Sequence, residues 1–198
     1  MNPANALTLL SAASALSGLL VLVSVRGPLA TAVACTCVGA SLLLDRLDGA
    51  VARRLGLTSK MGAQLDSLAD LLAFGALPAA LITARAQSLP VAAAALVYAL
   101  GAVWRLARYD EEELTDGPLG PSFRGVPSPA AGAAVVAAVA LGTVAPSLRF
   151  AEPVAALAMA ALMPSSVRYP KRGVGAWPWM VIVPLALAAV WWAAWSRR

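Results

Sequence analysis

The sequence contains no histidine and few charged residues, and both shortages limit the chemistry that the protein can perform. Charged residues make up 13% of the 198 residues, compared with about 25% in an average soluble domain. Without histidine, a Ser-His-Asp triad, a histidine general base and a histidine-ligated metal are all excluded.

Cysteine is also scarce, since only Cys35 and Cys37 are present and both lie inside an apolar run. Residues two apart face different sides of a helix, so this pair is interpreted as packing rather than as a disulfide or a metal site. The net charge of +5 comes without a basic tail or interleaved aromatic and basic residues. It therefore favours membrane topology and anionic substrates, and no nucleic-acid partner is expected.

Apolar residues are abundant, at 60% of the chain with a mean hydropathy of +0.76. They predict an all-α polytopic transmembrane helix bundle in a single integral-membrane domain, residues 1–198. The amino terminus has no basic residues before its first apolar run, so a retained helix is expected there rather than a cleaved signal peptide. Seven apolar segments are recognisable, at about 6–25, 29–54, 60–84, 90–109, 127–146, 150–167 and 176–195.

The basic residues predict how the bundle is oriented in the membrane. If alternate segment ends share a side, ten basic residues fall on the side of the Asp45–Asp70 turn and three on the other, which are Arg26, Arg85 and Arg149. The positive-inside rule then places that turn, and the active site, on the cytoplasmic side of the cell membrane. Seven spans would leave Arg197 and Arg198 outside, so one late segment does not span simply or the carboxyl terminus is an exception. The tryptophans at both ends of the last segment favour a full span.

Four of the ten acidic residues lie within 26 positions, at the edges of apolar segments: Asp45, Asp48, Asp66 and Asp70. The first pair is three apart and the second four apart, so each pair lies on one face of a helix. If the helices pack together, the carboxylates converge and need protons or divalent cations. An all-oxygen ligand set suits Mg²⁺ or Mn²⁺. The alternative, two helix ends with solvated acids, does not explain why the acids flank long apolar runs.

The spacing of these acids resembles the motif of the CDP-alcohol phosphotransferases. The pattern D-x-x-D-G-x-x-A-R, eight residues, then G-x-x-x-D-x-x-x-D is matched at every fixed position: Asp45, Asp48, Gly49, Ala52, Arg53, Gly62, Asp66 and Asp70. The resemblance implies six core helices, at about 5–171, followed by one carboxyl-terminal helix at about 176–195. It also implies a two-metal site of Mg²⁺ or Mn²⁺ on the four aspartates, Asp70 as the general base, and a homodimer.

The same resemblance implies a bound CDP nucleotide that Asp48 contacts, and the residues between the aspartates suit it. Gly49 allows close approach to the backbone, Ala52 keeps the next turn small, and Arg53 offers a guanidinium to phosphate oxygens. Gly62 is expected beside the nucleotide, although ordinary helix packing also explains it. The Asn5–Thr8 segment is similar to the family's usual start, and Asn5 and Thr8 either contact the nucleotide or cap the first helix.

Three later segments look like the membrane-embedded phosphatidylserine synthases: R-L-A-R-Y at 105–109, F-R-G-V-P-S-P-A-A-G at 123–132 and L-M-P-S-S-V-R-Y-P-K at 162–171. This resemblance implies transfer of a phosphatidyl group from CDP-diacylglycerol to L-serine, with release of CMP. The serine carboxylate needs cations, and the candidates are Arg105, Arg108, Arg124, Arg168 and Lys171. Each alone is equally explained as an anchor that extends to lipid headgroups. Charge also leaves glycerol 3-phosphate or an inositol phosphate open as the acceptor.

Two other classes of function are weaker interpretations. A transporter or channel predicts acidic residues at mid-membrane and inverted repeats, and the sequence has neither. A structural membrane scaffold would not need the eight-residue motif.

Overall fold

A computed structural model describes residues 2–112, 123–165, 168–169 and 177–196. Helices dominate these residues, in agreement with the predicted all-α membrane bundle. The helices are α1 (Pro3–Ser24), α2 (Pro28–Leu55), α3 (Lys60–Asp70), a π-helical turn (Leu71–Ala76), α4 (Leu77–Ala86), α5 (Leu89–Glu112), α6 (Ser128–Val144), a 3-10 turn (Pro146–Leu148), α7 (Ala151–Leu162) and α8 (Trp177–Trp195). Two short strands, β1 (Phe123–Arg124) and β2 (Arg168–Tyr169), pair antiparallel.

The helices begin and end where the local sequence favours it. Pro3 and Pro28 lie in the first turns of α1 and α2, where proline costs no backbone hydrogen bond. Gly56 ends α2 in the left-handed conformation, with φ of 63°, which glycine adopts without strain. The Ser59 hydroxyl then accepts a hydrogen bond from the Gly62 amide at 3.0 Å and starts α3.

The α3, π-helical and α4 segments form one continuous helix, so seven helical rods among the described residues match the seven predicted segments. Four are long and apolar enough to cross a membrane: Pro3–Ser24, Pro28–Leu55, Lys60–Ala86 and Leu89–Arg108. Side chains such as Leu20, Val23 and Leu89 are 67–84% exposed and suit contact with lipid. The protein is therefore an integral membrane protein.

The sixth predicted segment, 150–167, differs from the structure at its end, because α7 spans Ala151–Leu162. This helix has 12 residues and is about 18 Å long, whereas the hydrocarbon core of a bilayer is about 30 Å thick. It ends at Leu162, and Pro164 follows shortly afterwards, a position where proline commonly stops a helix.

The turns between helices divide the bundle into two ends. The α2–α3 turn and the start of α1 lie at the motif end, which holds Asp45–Asp70. The α1–α2, α4–α5 and α6–α7 turns lie at the opposite end. Helix α8 packs antiparallel to α2, because Gly39 lies against Val183 and Leu187 while the Trp191 indole donates to the Thr36 hydroxyl at 2.9 Å. Its carboxyl terminus therefore points to the opposite end, as a full span requires.

Candidate active site

Three of the four predicted aspartates meet where α2 packs beside α3. Carboxylate oxygens of Asp45, Asp48 and Asp66 all lie within 4.8 Å of one another. Three charged carboxylates at this distance repel strongly unless cations or protons compensate them. The donor set contains only oxygen, which fits a hard divalent cation.

Asp48 is the most enclosed of the three and is fixed by α1. It is 6% exposed, and the Thr8 hydroxyl donates a hydrogen bond to its carboxylate, with Oγ1 and Oδ2 2.8 Å apart. The bond joins residues 40 positions apart, so it depends on the close packing of α1 against α2. Thr8 therefore orients the Asp48 carboxylate.

The fourth aspartate, Asp70, lies next to the trio rather than within it. Its carboxyl group neighbours that of Asp45, and both lie within electrostatic range of the Arg105 guanidinium. Arg105 is 8% exposed, and its Nη1 donates to the Ser128 hydroxyl at 2.6 Å. Asp70 thus stands between the acidic trio and a buried guanidinium.

A cavity of about 640 Å³ opens beside the trio, between the start of α1 and the α2–α3 turn. Six of the seven predicted nucleotide-binding residues line it, and the seventh, Arg53, is an exposed neighbour of Gly49. The six are Asn5, Thr8, Asp48, Gly49, Ala52 and Gly62. The structure therefore brings the predicted motif residues of three helices to one space.

Two glycines keep this cavity open. A Cβ at Gly62 would lie 3.1 Å from the Ser59 hydroxyl and 3.2 Å from Asn5 Oδ1. A Cβ at Gly49 would lie 3.2 Å from Arg53 Nη1. Side chains at either position would crowd the polar side chains of Ser59, Asn5 or Arg53.

The amino-terminal segment settles one alternative left open by the sequence. The side chain of Asn2 caps α1, because its Oδ1 accepts from the Asn5 amide at 2.8 Å. The interpretation of Asn5 and Thr8 as helix caps is therefore wrong. Both lie within α1 and face the cavity, as the nucleotide-binding interpretation expects.

Sequence reasoning missed further polar residues that line the same cavity: Thr58, Ser59, Lys60 and Gln64. Lys60 adds a positive charge to the cavity lining. Its position at the start of an apolar segment, ten residues before Asp70, was the available signal, but the family motif does not include it.

The lining of the cavity is mixed, with apolar residues such as Ala4 and Leu57 beside the polar ones. Leu9, Leu47 and Met61, each next in sequence to a lining residue, are 42%, 53% and 71% exposed. A cavity with both kinds of lining suits a ligand with a polar head and apolar chains.

The helix that carries Asp66 and Asp70 changes its winding immediately after them. The π-helical turn Leu71–Ala76 frees backbone carbonyls from the usual pattern, and the buried Tyr98 hydroxyl donates to the carbonyl of Phe74. A Cβ at Gly132 on α6 would lie 3.1 Å from Phe74 Cδ1. Neighbouring helices therefore hold the turn in place, and π-turns are frequent near functional sites.

The predicted acceptor residues have different surroundings. Arg105 lies near Asp45 and Asp70, as described, whereas Arg108 donates from Nη1 to the carbonyl of Pro164 at 3.0 Å. Arg124 in β1 is paired with Arg168 in β2 through the backbone register. Lys171 lies outside the described residues.

Gly125 fixes the segment that follows β1. Its φ is 79°, and a Cβ there would overlap the backbone carbonyl of Met163. The Val126 amide donates to the Leu162 carbonyl at 3.2 Å. These contacts join two of the three later segments that carry the predicted acceptor-binding residues, 123–132 and 162–171. Both lie at the motif end.

Residues 1–195 match the CDP-alcohol phosphatidyltransferase family. The chain belongs to this family. Members of the CDP-alcohol phosphatidyltransferase family depend in general on divalent metals, which agrees with the all-oxygen trio of Asp45, Asp48 and Asp66.

Curated relatives of the family differ in how much of the chain they match. The CDP-diacylglycerol–serine O-phosphatidyltransferase of Helicobacter pylori is 44% identical over 112 residues, which are 54% of this chain and 46% of that protein. The protein of the same name from Methanocaldococcus jannaschii is 31% identical over 150 residues, 76% and 70% of the two chains. The archaetidylserine synthase of Methanothermobacter thermautotrophicus is 36% identical over 178 residues, 85% and 71%. The match spans about half the length of the bacterial relatives.

Proposed function

We propose that the protein transfers the phosphatidyl group of CDP-diacylglycerol to the hydroxyl of L-serine, giving phosphatidylserine and CMP. The observation that supports the proposal is the shared cavity, in which Asp48 and Asp66 of the acidic trio lie beside the motif residues predicted to bind the nucleotide. The family and the names of the three relatives support the reaction class and serine as acceptor.

Asp45, Asp48 and Asp66 would hold Mg²⁺ or Mn²⁺, and Asp70 would complete a two-metal site. When bound, the metal neutralises the diphosphate of the donor. Asn5, Gly49, Ala52 and Gly62 then leave room for the nucleotide, while Arg53 and Lys60 supply positive charge for its phosphate oxygens.

In the proposed reaction, Asp70 acts as the general base. It accepts the proton of the serine hydroxyl as the hydroxyl oxygen bonds to the β-phosphorus of the donor. The bond from that phosphorus to the CMP oxygen breaks in the same in-line displacement. CMP leaves with the electron pair, and its negative charge is stabilised by Arg53.

The acceptor carboxylate is assigned to the arginines near Asp70. Arg105 is the strongest candidate, because it is buried and its charge reaches both Asp45 and Asp70. Arg108, Arg124, Arg168 and Lys171 remain predictions for the wider acceptor site. The proposal further places the site on the cytoplasmic side and the protein in a homodimer.

The test is CMP release by purified protein with CDP-diacylglycerol and a panel of acceptors. Serine should support turnover, whereas glycerol 3-phosphate and inositol phosphate should not. Turnover with glycerol 3-phosphate but not with serine would refute serine as the acceptor, and the proposed reaction class would still stand. No CMP release with any acceptor, in the presence of Mg²⁺ or Mn²⁺, would refute the transferase.

A second donor is favoured by one comparison. The relative that matches the largest share of this chain among the three is named archaetidylserine synthase. CDP-archaeol should therefore be assayed beside CDP-diacylglycerol with serine as acceptor. The ratio of kcat/KM for the two donors identifies the natural lipid.

A further inference from the structure

A second polar cavity lies at the opposite end of the bundle and contains three arginines. Its volume is about 200 Å³, and it is formed by the α1–α2 turn, the end of α4 and the α6–α7 connection. Arg26, Arg85 and Arg149 line it. The count of basic residues puts these three arginines on the side opposite the Asp45–Asp70 turn.

Arg85 lies at the buried bottom of this cavity, which is called the arginine cavity below. Its side chain is 9% exposed and forms an ion pair with the buried Glu152, in which Nη2 and Oε1 are 2.8 Å apart. Nε lies 3.1 Å from each Glu152 oxygen, and Nη1 lies 3.4 Å from the Thr31 hydroxyl. A guanidinium has five N–H groups, so these contacts within the described chain leave donor capacity toward the cavity.

The packing around the ion pair is tight. A Cβ at Gly142 would lie 2.6 Å from Glu152 Oε1 and 3.1 Å from Arg149 Cα. Because Gly142 has no side chain, both Glu152 and Arg149 can approach this turn of α6. The site is thus built by helix packing and is not a chance grouping of surface side chains.

The charges around the cavity do not balance. Among the described residues, Glu152 compensates Arg85, while Arg26 and Arg149 are exposed at the rim. The amino terminus of α2, at Gly27 and Pro28, also borders the cavity and has no side-chain cap. A helix amino terminus adds partial positive charge. The cavity is therefore suited to an anion.

The border of the cavity favours an anion attached to a lipid. Leu22 and Val25 line it, and Val25 is 41% exposed. Val23 and Leu29, which flank the same turn, are 84% and 40% exposed. Acyl chains can lie along these side chains while a phosphate contacts the arginines.

We propose that the arginine cavity binds the phosphate group of a phospholipid in the leaflet opposite the catalytic cavity. Its size fits a phosphate with little of the remaining headgroup. About 30 Å of α2 separates Pro28 from Asp48, so this site is separate from the donor site. The ligand is recognised by charge and by apolar chains together, which distinguishes it from free phosphate.

The experiment is native mass spectrometry of the purified protein with phosphatidylglycerol, with diacylglycerol as the phosphate-free comparison. The test variant is Arg26→Gln with Arg149→Gln, because both side chains are exposed and the buried ion pair is retained. Arg54→Gln, an exposed arginine at the motif end, is the matched control. Circular dichroism and gel filtration establish that each variant folds.

Phosphatidylglycerol should remain bound to the original protein and to Arg54→Gln, and diacylglycerol should not. The double variant should bind phosphatidylglycerol at least about tenfold more weakly, because two positively charged groups that can hydrogen-bond to the phosphate are lost. Equal retention by the double variant would overturn the proposal and make the arginines general membrane anchors.

A second measurement separates the two sources of phosphate. Inorganic phosphate and phosphatidylglycerol are each added in a thermal unfolding assay, where a ligand of the folded state raises the Tm. A Tm increase with phosphatidylglycerol that the double variant loses supports the lipid site. An increase with inorganic phosphate only would overturn it. Neither result depends on turnover, so failure here leaves the proposed transferase reaction untouched.

Discussion

At the scale of single residues, the site distinguishes the four aspartates by their surroundings. Asp45, Asp48 and Asp66 face one another within 4.8 Å, whereas Asp70 is next to Asp45 and the charge of Arg105. The sequence predicted all four from their spacing. It did not predict this division, because the division depends on how α3 and α5 pack.

Asp70→Asn should reduce kcat while CDP-diacylglycerol still binds. Asparagine keeps the size of the side chain but does not accept the serine proton, and a general base contributes about 10²- to 10⁴-fold. Single-turnover CMP release and donor binding, measured on the same sample, check this. Turnover close to that of the original protein would exclude Asp70 as the base.

Thr8→Val should weaken Mn²⁺ binding because it removes the hydroxyl that orients Asp48. Loss of a partner of a metal ligand costs about 10- to 100-fold in affinity. Mn²⁺ titration followed by electron paramagnetic resonance measures the effect, and EDTA should abolish the signal of bound metal. Asp45→Ala should weaken binding further, since it removes a proposed ligand.

Thr8→Ser is the matched control, because it keeps the hydroxyl and should retain Mn²⁺ affinity. If Thr8→Val and Thr8→Ser bind Mn²⁺ equally, the hydrogen bond to Asp48 does not organise the metal site.

Arg105→Lys should raise the KM for serine more than the KM for the donor. Lysine keeps the charge but lacks the second nitrogen of the guanidinium that a carboxylate contacts. Arg108→Lys is the comparison, because the described contact of Arg108 is with the carbonyl of Pro164. A larger serine effect in Arg108→Lys would move the carboxylate site toward β1 and β2.

At the scale of helices, hydropathy predicted the seven rods, since long apolar segments and prolines near their starts are visible in the sequence. The π-helical turn Leu71–Ala76 was not predicted, because it has the same apolar residues as the α-helix around it. Its position depends on Tyr98 and Gly132 from other helices. Such a feature arises from packing and has no local sequence signal.

Tyr98→Phe should lower both Tm and kcat. The substitution leaves the buried Phe74 carbonyl without its hydroxyl donor, which costs about 1–3 kcal/mol of stability. Asp70 directly precedes the π-turn, so kcat should fall more than the donor KM rises. Thermal unfolding and steady-state kinetics measure the two effects. Normal kcat with a lowered Tm would show that the turn stabilises the fold without positioning Asp70.

At the scale of the whole molecule, α2 joins two polar sites of opposite chemistry. Its carboxyl-terminal half carries Asp45 and Asp48, and its amino terminus borders the arginine cavity. The counts of basic residues predicted which residues lie at the motif end and which at the opposite end. They did not predict that the three arginines at the opposite end share one cavity. That convergence needs the α6–α7 connection to fold back onto the α1–α2 turn.

The predicted orientation has a direct test in intact cells. With Cys35 and Cys37 replaced by alanine, Thr58→Cys at the motif end should be protected from an impermeant thiol reagent added outside. Gln87→Cys at the opposite end should react. Both positions are exposed, so access depends on the membrane side. Labelling of Thr58→Cys from outside would reverse the orientation.

Exposed apolar residues near the motif-end cavity predict a kinetic property of the proposed reaction. Because Leu9, Leu47 and Met61 are exposed and each is adjacent in sequence to a residue that lines the cavity, we expect the proposed two-chain donor to enter sideways without leaving the bilayer. The protein and its lipid donor then meet by diffusion in the plane of the membrane. Turnover should follow the mole fraction of donor in the membrane rather than its amount per litre of suspension. Diluting the donor with inert lipid should slow the reaction, and diluting the vesicles with buffer should not change the rate per enzyme.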